Sequence, residues 1–234
     1  MVLITAREYD HGTDGGDGNL TRLTQYVDGS TTRVTCMMYD FRNRRIATDG
    51  EVDFYQQDYY DNFGRVVRSE RYDTIGPAGG CGSTSSSALD SSSSSGSAHV
   101  GNLIARSDVK YDARGNVYQA IRYAVDPATG DVGNSLVGNA WYDASGNRVK
   151  VLPAGSHLFT KTTFDSLGRV EVQYQGYDLD ETSYADAFTV TDDVILEQVE
   201  TTYDTASHAV QVTLRQRYHN APDTQTGSLH SPGT

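Results

Sequence analysis

Five times the sequence sets an aromatic residue before Asp-x-x-Gly: YDNFG from 60, YDTIG from 72, YDARG from 111, YDASG from 142 and FDSLG from 164. Two relaxed copies, YDFRN from 39 and YDTAS from 203, replace the glycine. An aspartate opening a type I turn accepts a hydrogen bond from the backbone two residues on. A glycine three residues after it supplies the left-handed conformation that ends a three-residue hairpin loop with a bulge. A chain that writes this turn repeatedly is committed to antiparallel β-hairpins. Its structural motif residues are Tyr60, Asp61 and Gly64; Tyr72, Asp73 and Gly76; Tyr111, Asp112 and Gly115; Tyr142, Asp143 and Gly146; and Phe164, Asp165 and Gly168. Their spacing is irregular, which fits hairpins with varied connections better than a solenoid of identical coils.

In such a turn the aromatic residue pairs with the residue five positions after the Asp. That predicts Tyr60 opposite Val66, Tyr111 opposite Val117 and Phe164 opposite Val170. Aromatic against β-branched is a favourable cross-strand pair, contributing ~0.2–1 kcal/mol. In the copies at 39, 142 and 203 the same position holds Arg45, Arg148 and Ala209, and the β-branched residue (Ile46, Val149, Val210) comes one later. A one-residue slip turns every side chain to the other face, so those copies predict a longer loop or another register.

The rest of the composition agrees with an all-β chain. Sixteen of the 234 residues are tyrosine, and 23 glycines stand against 5 prolines, a balance of strand formers and glycine-built turns. Further strands are predicted at 31–39, 99–111, 117–125, 158–164, 168–177, 194–203 and 209–218, with a short helix over 180–188 capped by Asp180. Pro77 follows Gly76, so a returning strand cannot start there normally. Ten of the sixteen residues from 83 to 98 are serine, and 76–98 reads as a disordered Gly/Ser-rich insertion in one sheet. The chain then divides into an N-terminal repeat segment, 1–75, the insertion, a second repeat segment, 99–220, and a polar tail, 221–234, expected to fray.

YDNFGRV, YDARGNV, YDASGNRV and FDSLGRV, in a Tyr-, Thr- and Gly-rich chain, resemble the RHS/YD-repeat proteins. The resemblance runs from roughly 20 to 220. It implies antiparallel hairpin repeats forming an open, spiralling sheet that is part of a hollow shell. In bacterial members that shell encloses a C-terminal toxin; in animal relatives it belongs to a cell-surface adhesion protein. The implied function is structural and non-enzymatic: a scaffold or encapsulating-shell segment of a larger surface or secreted protein. The implied partners are further YD repeats, or other copies joined through open sheet edges. An adhesion module binding carbohydrate or a surface protein is the alternative, and a glycan-active enzyme a remote one. Seven copies are fewer than a closed shell needs, which reads as a fragment. VDPATGD, 125–131, is similar to the family's Asp-Pro core motif but lies mid-chain and is read as a plain turn.

No catalytic or cofactor-binding residues are assigned. Asp10, Asp14, Asp17 and Asn19 in DHGTDGGDGN are weak calcium candidates, because calcium takes hard oxygen ligands, against a solvated turn. The six histidines are scattered without ligand spacing. There is no G-x-S-x-G elbow. Asp192 and Asp193, or Asp178 and Asp180, are the carboxylate pairs nearest to an acid–base arrangement, and neighbours on a strand face opposite ways. A net charge of −12 opposes binding to nucleic acid and to anionic membranes; the local cluster Arg42, Arg44, Arg45 reads as a solvated turn. No apolar run approaches membrane-spanning length, and the N-terminus does not read as a signal peptide. The compartment is unassigned from the residues, and pairing of Cys36 with Cys81 stays open.

Overall fold

The computed structural model describes residues 4–12, 16–28, 31–50, 54–73, 101–178 and 185–230. Among these, fourteen strands form an antiparallel sheet in which each strand lies beside its neighbours in sequence. They are β1 (Thr5–Tyr9), β2 (Leu20–Tyr26), β3 (Thr32–Tyr39), β4 (Arg45–Gly50), β5 (Phe54–Tyr60), β6 (Val66–Tyr72), β7 (Leu103–Tyr111), β8 (Val117–Val125), β9 (Val132–Tyr142), β10 (Arg148–Leu152), β11 (Phe159–Phe164), β12 (Val170–Tyr177), β13 (Val194–Tyr203) and β14 (Ala209–Gln216). The hairpin sheet that the repeats dictate is present. β1 and β2 lie where no strand is predicted. The expected helix is a single 3-10 turn, Ala185–Phe188; Asp180 lies outside the described residues. The insertion 76–98, with Cys81, also lies outside them, as does Gly76. Cys36 is disulfide-bonded.

The chain forms two compact units, Met1–Val109 with Arg122–Ser135, and Lys110–Ile121 with Leu136–Thr234. In the first, Ala47, Tyr55 and Tyr72 make the core, joined by Met38 and Leu103. Tyr55 and Tyr72 face each other across the β5–β6 pair with ring centroids 6.1 Å apart. Period-2 alternation turns Tyr55, Gln57 and Tyr59 to this face.

In the second unit Phe159, Tyr174 and Ile195 form the core, flanked by Leu152, Val172, Val190 and Leu229. The described part of the tail, to residue 230, does not fray. Leu229 packs on this cluster and its N–H donates to Gln198 Oε1 (2.7 Å). Gly227 N–H donates to the Asp193 carbonyl (2.8 Å), and Arg217 donates to the Gln225 and Pro222 carbonyls. A polar segment with one apolar anchor and its backbone groups paired has an ordering term strong enough to offset its entropy.

Candidate functional site

The recurring turn is built the same way wherever it closes locally. In the β5–β6 turn Asp61 N–H donates to the Arg65 carbonyl (2.9 Å) and Gly64 N–H to the Asp61 carbonyl (3.0 Å). One oxygen of the Asp61 carboxylate accepts the amides of Phe63 and Arg65, both at 2.9 Å, and the other accepts Arg65 Nε at 2.7 Å. Asp112, Asp143 and Asp165 repeat this with Asn116, Asn147 and Arg169 as closing residues. The two relaxed copies do the same, Asp40 with Arg44 and Asp204 with His208. There Asn43 (φ 59°) and Ser207 (φ 67°) take the left-handed position that Gly64 and Gly115 hold elsewhere. The amide donors hold the Asp61, Asp165 and Asp204 carboxyls below their usual range, the amide of the closing residue most of all.

The register is uniform. Tyr60 pairs with Val66 and Phe164 with Val170, as predicted. Tyr39 pairs with Arg45, Tyr142 with Arg148 and Tyr203 with Ala209, so these copies use neither a longer loop nor another register. Ile46, Val149 and Val210, one position later, are the extra residues of a bulge on the return strand. Turn geometry, not the β-branched partner, fixes the pairing.

Sequence reasoning missed one turn of this kind and the closing residue of another. Tyr9-Asp10 closes on Asn19: Asp10 N–H donates to the Asn19 carbonyl (2.9 Å), its carboxylate accepts the amides of Gly18 (2.7 Å) and Asn19 (3.0 Å), and Tyr9 pairs with Leu20. Tyr72-Asp73 closes on a distant residue: Asp73 N–H donates to the Asn102 carbonyl (3.1 Å), Asn102 N–H returns to Asp73 Oδ1 (2.8 Å), and Tyr72 pairs with Leu103. Both closing residues sit in the triplet Gly-Asn-Leu, 18–20 and 101–103, the counterpart of Gly115-Asn116-Val117. That triplet was the signal available.

Neighbouring turns lock together. Arg44 donates to the Asp61 carbonyl (3.2 Å) and Arg169 to the Asp204 carbonyl (3.4 Å); their guanidiniums lie 4.6 Å and 4.4 Å from the ring centroids of Tyr60 and Tyr203. Arg114 reaches the carbonyls of Asp143 and Ala144. The motif hydroxyls of Tyr39, Tyr60, Tyr142 and Tyr203 donate to the carbonyls of Leu20, Arg45, Val117 and Val170, each 2.8–3.0 Å away in the preceding hairpin. The motif aspartates and tyrosines are thus engaged by neighbouring backbone.

Two polar clusters lie away from the turns. In the first unit Glu70 accepts the hydroxyls of Tyr59 (2.9 Å) and Tyr72 (2.7 Å), and Asp108 joins Arg68 (3.1 Å), Arg106 (3.0 Å) and Tyr123 (3.3 Å). Burial, and then Glu70, push the Tyr59 and Tyr72 hydroxyls well above their ordinary range. In the second unit Lys161 pairs with Lys150 across β10–β11. Its buried ammonium donates to Asp193 Oδ2 (2.7 Å) and to the carbonyls of Asp186 (2.7 Å) and Thr189 (2.8 Å). Burial raises the Asp193 carboxyl against the pull of Lys161. Asp192 is exposed, so the adjacent carboxylates do not converge.

Of the calcium candidates, Asp10, Asp17 and Asn19 line one hollow with Asp40 and Asn43, and Asp14 lies outside the described residues. Both Asp10 oxygens point at amides. Among the described residues no three His, Cys, Asp or Glu side chains are placed to share a metal. VDPATGD forms its turn, with Gly130 N–H donating to the Asp126 carbonyl (2.7 Å).

No family model matches the chain, and no curated protein matches it. Solved structures do. A Tc holotoxin pore of Photorhabdus luminescens with a mutated TccC3 aligns over 92% of this chain and 10% of its own at 12% identity, with a TM-score of 0.44. A TcdB2–TccC3 crystal structure aligns over 95% and 11% at 13% identity, again with a TM-score of 0.44. The chain spans about a tenth of the length of those chains.

Proposed function

We propose that the chain is a structural, non-enzymatic RHS/YD-repeat segment, a wall section of a larger scaffold or encapsulating shell at a surface or in a secreted protein. The observation that carries this reading is the turn-to-turn lock. The motif tyrosine hydroxyls and the closing Arg44 and Arg169 reach carbonyls of the neighbouring hairpin, while the aspartate carboxylates hold their own turns. β14 supplies a place for the sheet to continue. It is the last strand in the order, and Val210, Val212 and Leu214 are 63%, 62% and 57% exposed, the kind of edge that recruits another strand. Light scattering across a concentration series tests it: the chain should self-associate, and Val212→Lys should weaken that association. A monomer at every concentration would sink the reading.

The second reading, an adhesion module for carbohydrate or a surface protein, is favoured by the half-buried Tyr59, Arg68, Arg106, Asp108 and Tyr123 cluster on one sheet face. A glycan array separates the two, with saturable binding supporting adhesion.

A further inference from the structure

Phe41 and Phe63 project from the tips of successive turns, β3–β4 and β5–β6, and are 89% and 84% exposed. The turn needs neither ring. Asp40 with Arg44 and Asp61 with Arg65 close it, and tip positions in other copies hold Ala113, Ala144 and Ser145. Folding therefore gives no reason for two phenylalanines held in water, each at a cost in apolar solvation. Turns two strands apart in a sheet are separated by about 10 Å, so the rings form one patch within the first unit. A guanidinium accompanies each: Arg42 is 5.3 Å from the Phe41 centroid and Arg65 5.1 Å from that of Phe63. Arg42 also donates to the Asn62 carbonyl (3.3 Å), tying one tip to the other. Arg42, Arg44, Arg45 and Arg65 stand here beside Asp40 and Asp61, with Asp10 and Asp17 lining the hollow next to the β3–β4 turn, so the tips are locally balanced in a chain of net charge −12.

The geometry points to these two tips as a contact surface for the phosphate-bearing interface of a phospholipid bilayer. Both rings stand at turn tips, largely in water. A folded protein partner would need matching pockets, whereas a bilayer deforms around protruding rings and takes them at the headgroup–acyl boundary. Guanidinium beside each ring suits the phosphates at that depth, where arginine bonds them through its planar fork. The chain's negative charge acts against this only at range, since screening at physiological salt extends over about 8 Å. The tip arginines meet the nearest phosphates, so a zwitterionic headgroup suffices.

Vesicle flotation of the full chain tests this. Phosphatidylcholine vesicles should carry the chain, and the variant combining Phe41→Ser and Phe63→Ser should bind at least about tenfold more weakly, the loss of one apolar side chain's transfer free energy. Arg42→Gln should weaken binding severalfold. Leu167→Ser, at the 71% exposed tip in the other unit, should change nothing. The double serine variant should melt with the parent, which separates lost contact from lost fold. Failure of the parent to float, equal flotation of the double variant, or an equal loss in Leu167→Ser would overturn the inference. So would a strict requirement for added phosphatidylserine, or Phe-dependent association of chains without vesicles.

Discussion

The guanidinium of Arg44 lies 4.6 Å from the ring centroid of Tyr60 while its Nε is held 2.7 Å from Asp40. One side chain thus closes its own turn and covers the aromatic residue that opens the next. Arg169 stands in the same relation to Asp165 and Tyr203. The repeat is therefore a unit of assembly as much as a turn: where Arg44 and Arg169 close it, the hairpin presents the next with a planar cation, and receives a hydroxyl on its carbonyl in return.

Arg44→Lys should expose this double role. Lysine keeps the charge but cannot bond Asp40, reach the Asp61 carbonyl and lie flat on Tyr60 together. The expected cost is about 1–2 kcal/mol, read as a lower melting temperature of the full chain. Arg42→Lys, an exposed tip residue, is the control and should stay within about 0.5 kcal/mol of the parent. Equal effects from the two would mean that Arg44 acts by charge alone.

Lys161 and Asp193 form a buried pair, and removing one partner strands the other. Lys161→Met should cost about 3–5 kcal/mol because the Asp193 carboxylate loses its cation away from water. Lys161 also holds the Asp186 and Thr189 carbonyls, so hydrogen exchange in the 185–193 connection should accelerate. Adding Asp193→Leu should recover part of the loss, since two apolar groups replace a broken ion pair. A double variant as unstable as the sum of the singles would show that the pair itself contributes nothing.

How much of this was legible in the sequence depended on distance along the chain. The Asp61 turn is written within a few residues, so its hydrogen bonds and the Tyr60–Val66 pair could be read directly. The β-branched rule misled at Tyr142, because Val149 is a bulge residue and the pairing belongs to Arg148. Asp73 looked like a broken copy because its closing residue, Asn102, lies beyond the serine-rich segment. Lys161 and Asp193 gave no sign, since a strand residue and a connection residue meet only after β12 has run its length. Local chemistry was readable; pairing across an insertion or a strand was not.

Lys150 predicts an alkaline gain in stability. It is buried with its ammonium 4.9 Å from the ring centroids of both Trp141 and Phe159, and burial, followed by the charge of Lys161, brings it from 10.5 down to about 8. The folded chain then releases this proton before the unfolded chain does, so the unfolded state binds more protons above pH 8 and stability rises with pH. The gain ends near pH 10. There unfolded tyrosines ionise while Tyr55, pushed up to about 12 by burial and then Asp49, stays protonated, and stability falls. Melting temperature should climb between about pH 7 and about pH 9.5, and Lys150→Met should flatten that climb. Parallel curves for the two proteins would remove Lys150 as the cause.

Asp73 and Asn102 place the ends of the β6–β7 connection in the geometry of a tight turn. Asp73 N–H reaches the Asn102 carbonyl, Asn102 N–H reaches the Asp73 carboxylate, Tyr72 faces Leu103, and Ile104 is passed over as the bulge residue. Asp112 and Asn116 are related in the same way across only Ala113, Arg114 and Gly115. The sheet therefore has no need of residues 74–101 to join these strands. Replacing them with Ala-Arg-Gly should preserve the hairpin and raise stability by about 2 kcal/mol, the loop-closure entropy recovered when a connection of this length shrinks to three residues. The exchange removes Cys81, so the comparison is made in a Cys36→Ser background, which leaves both chains without cysteine pairing. Denaturant unfolding reads the change, and amide exchange at Asn102 reports whether its bond to Asp73 survives. A shortened chain that fails to fold, or that loses protection at Asn102, would show that the Asp73–Asn102 closure is imposed by the longer connection rather than by the turn chemistry itself.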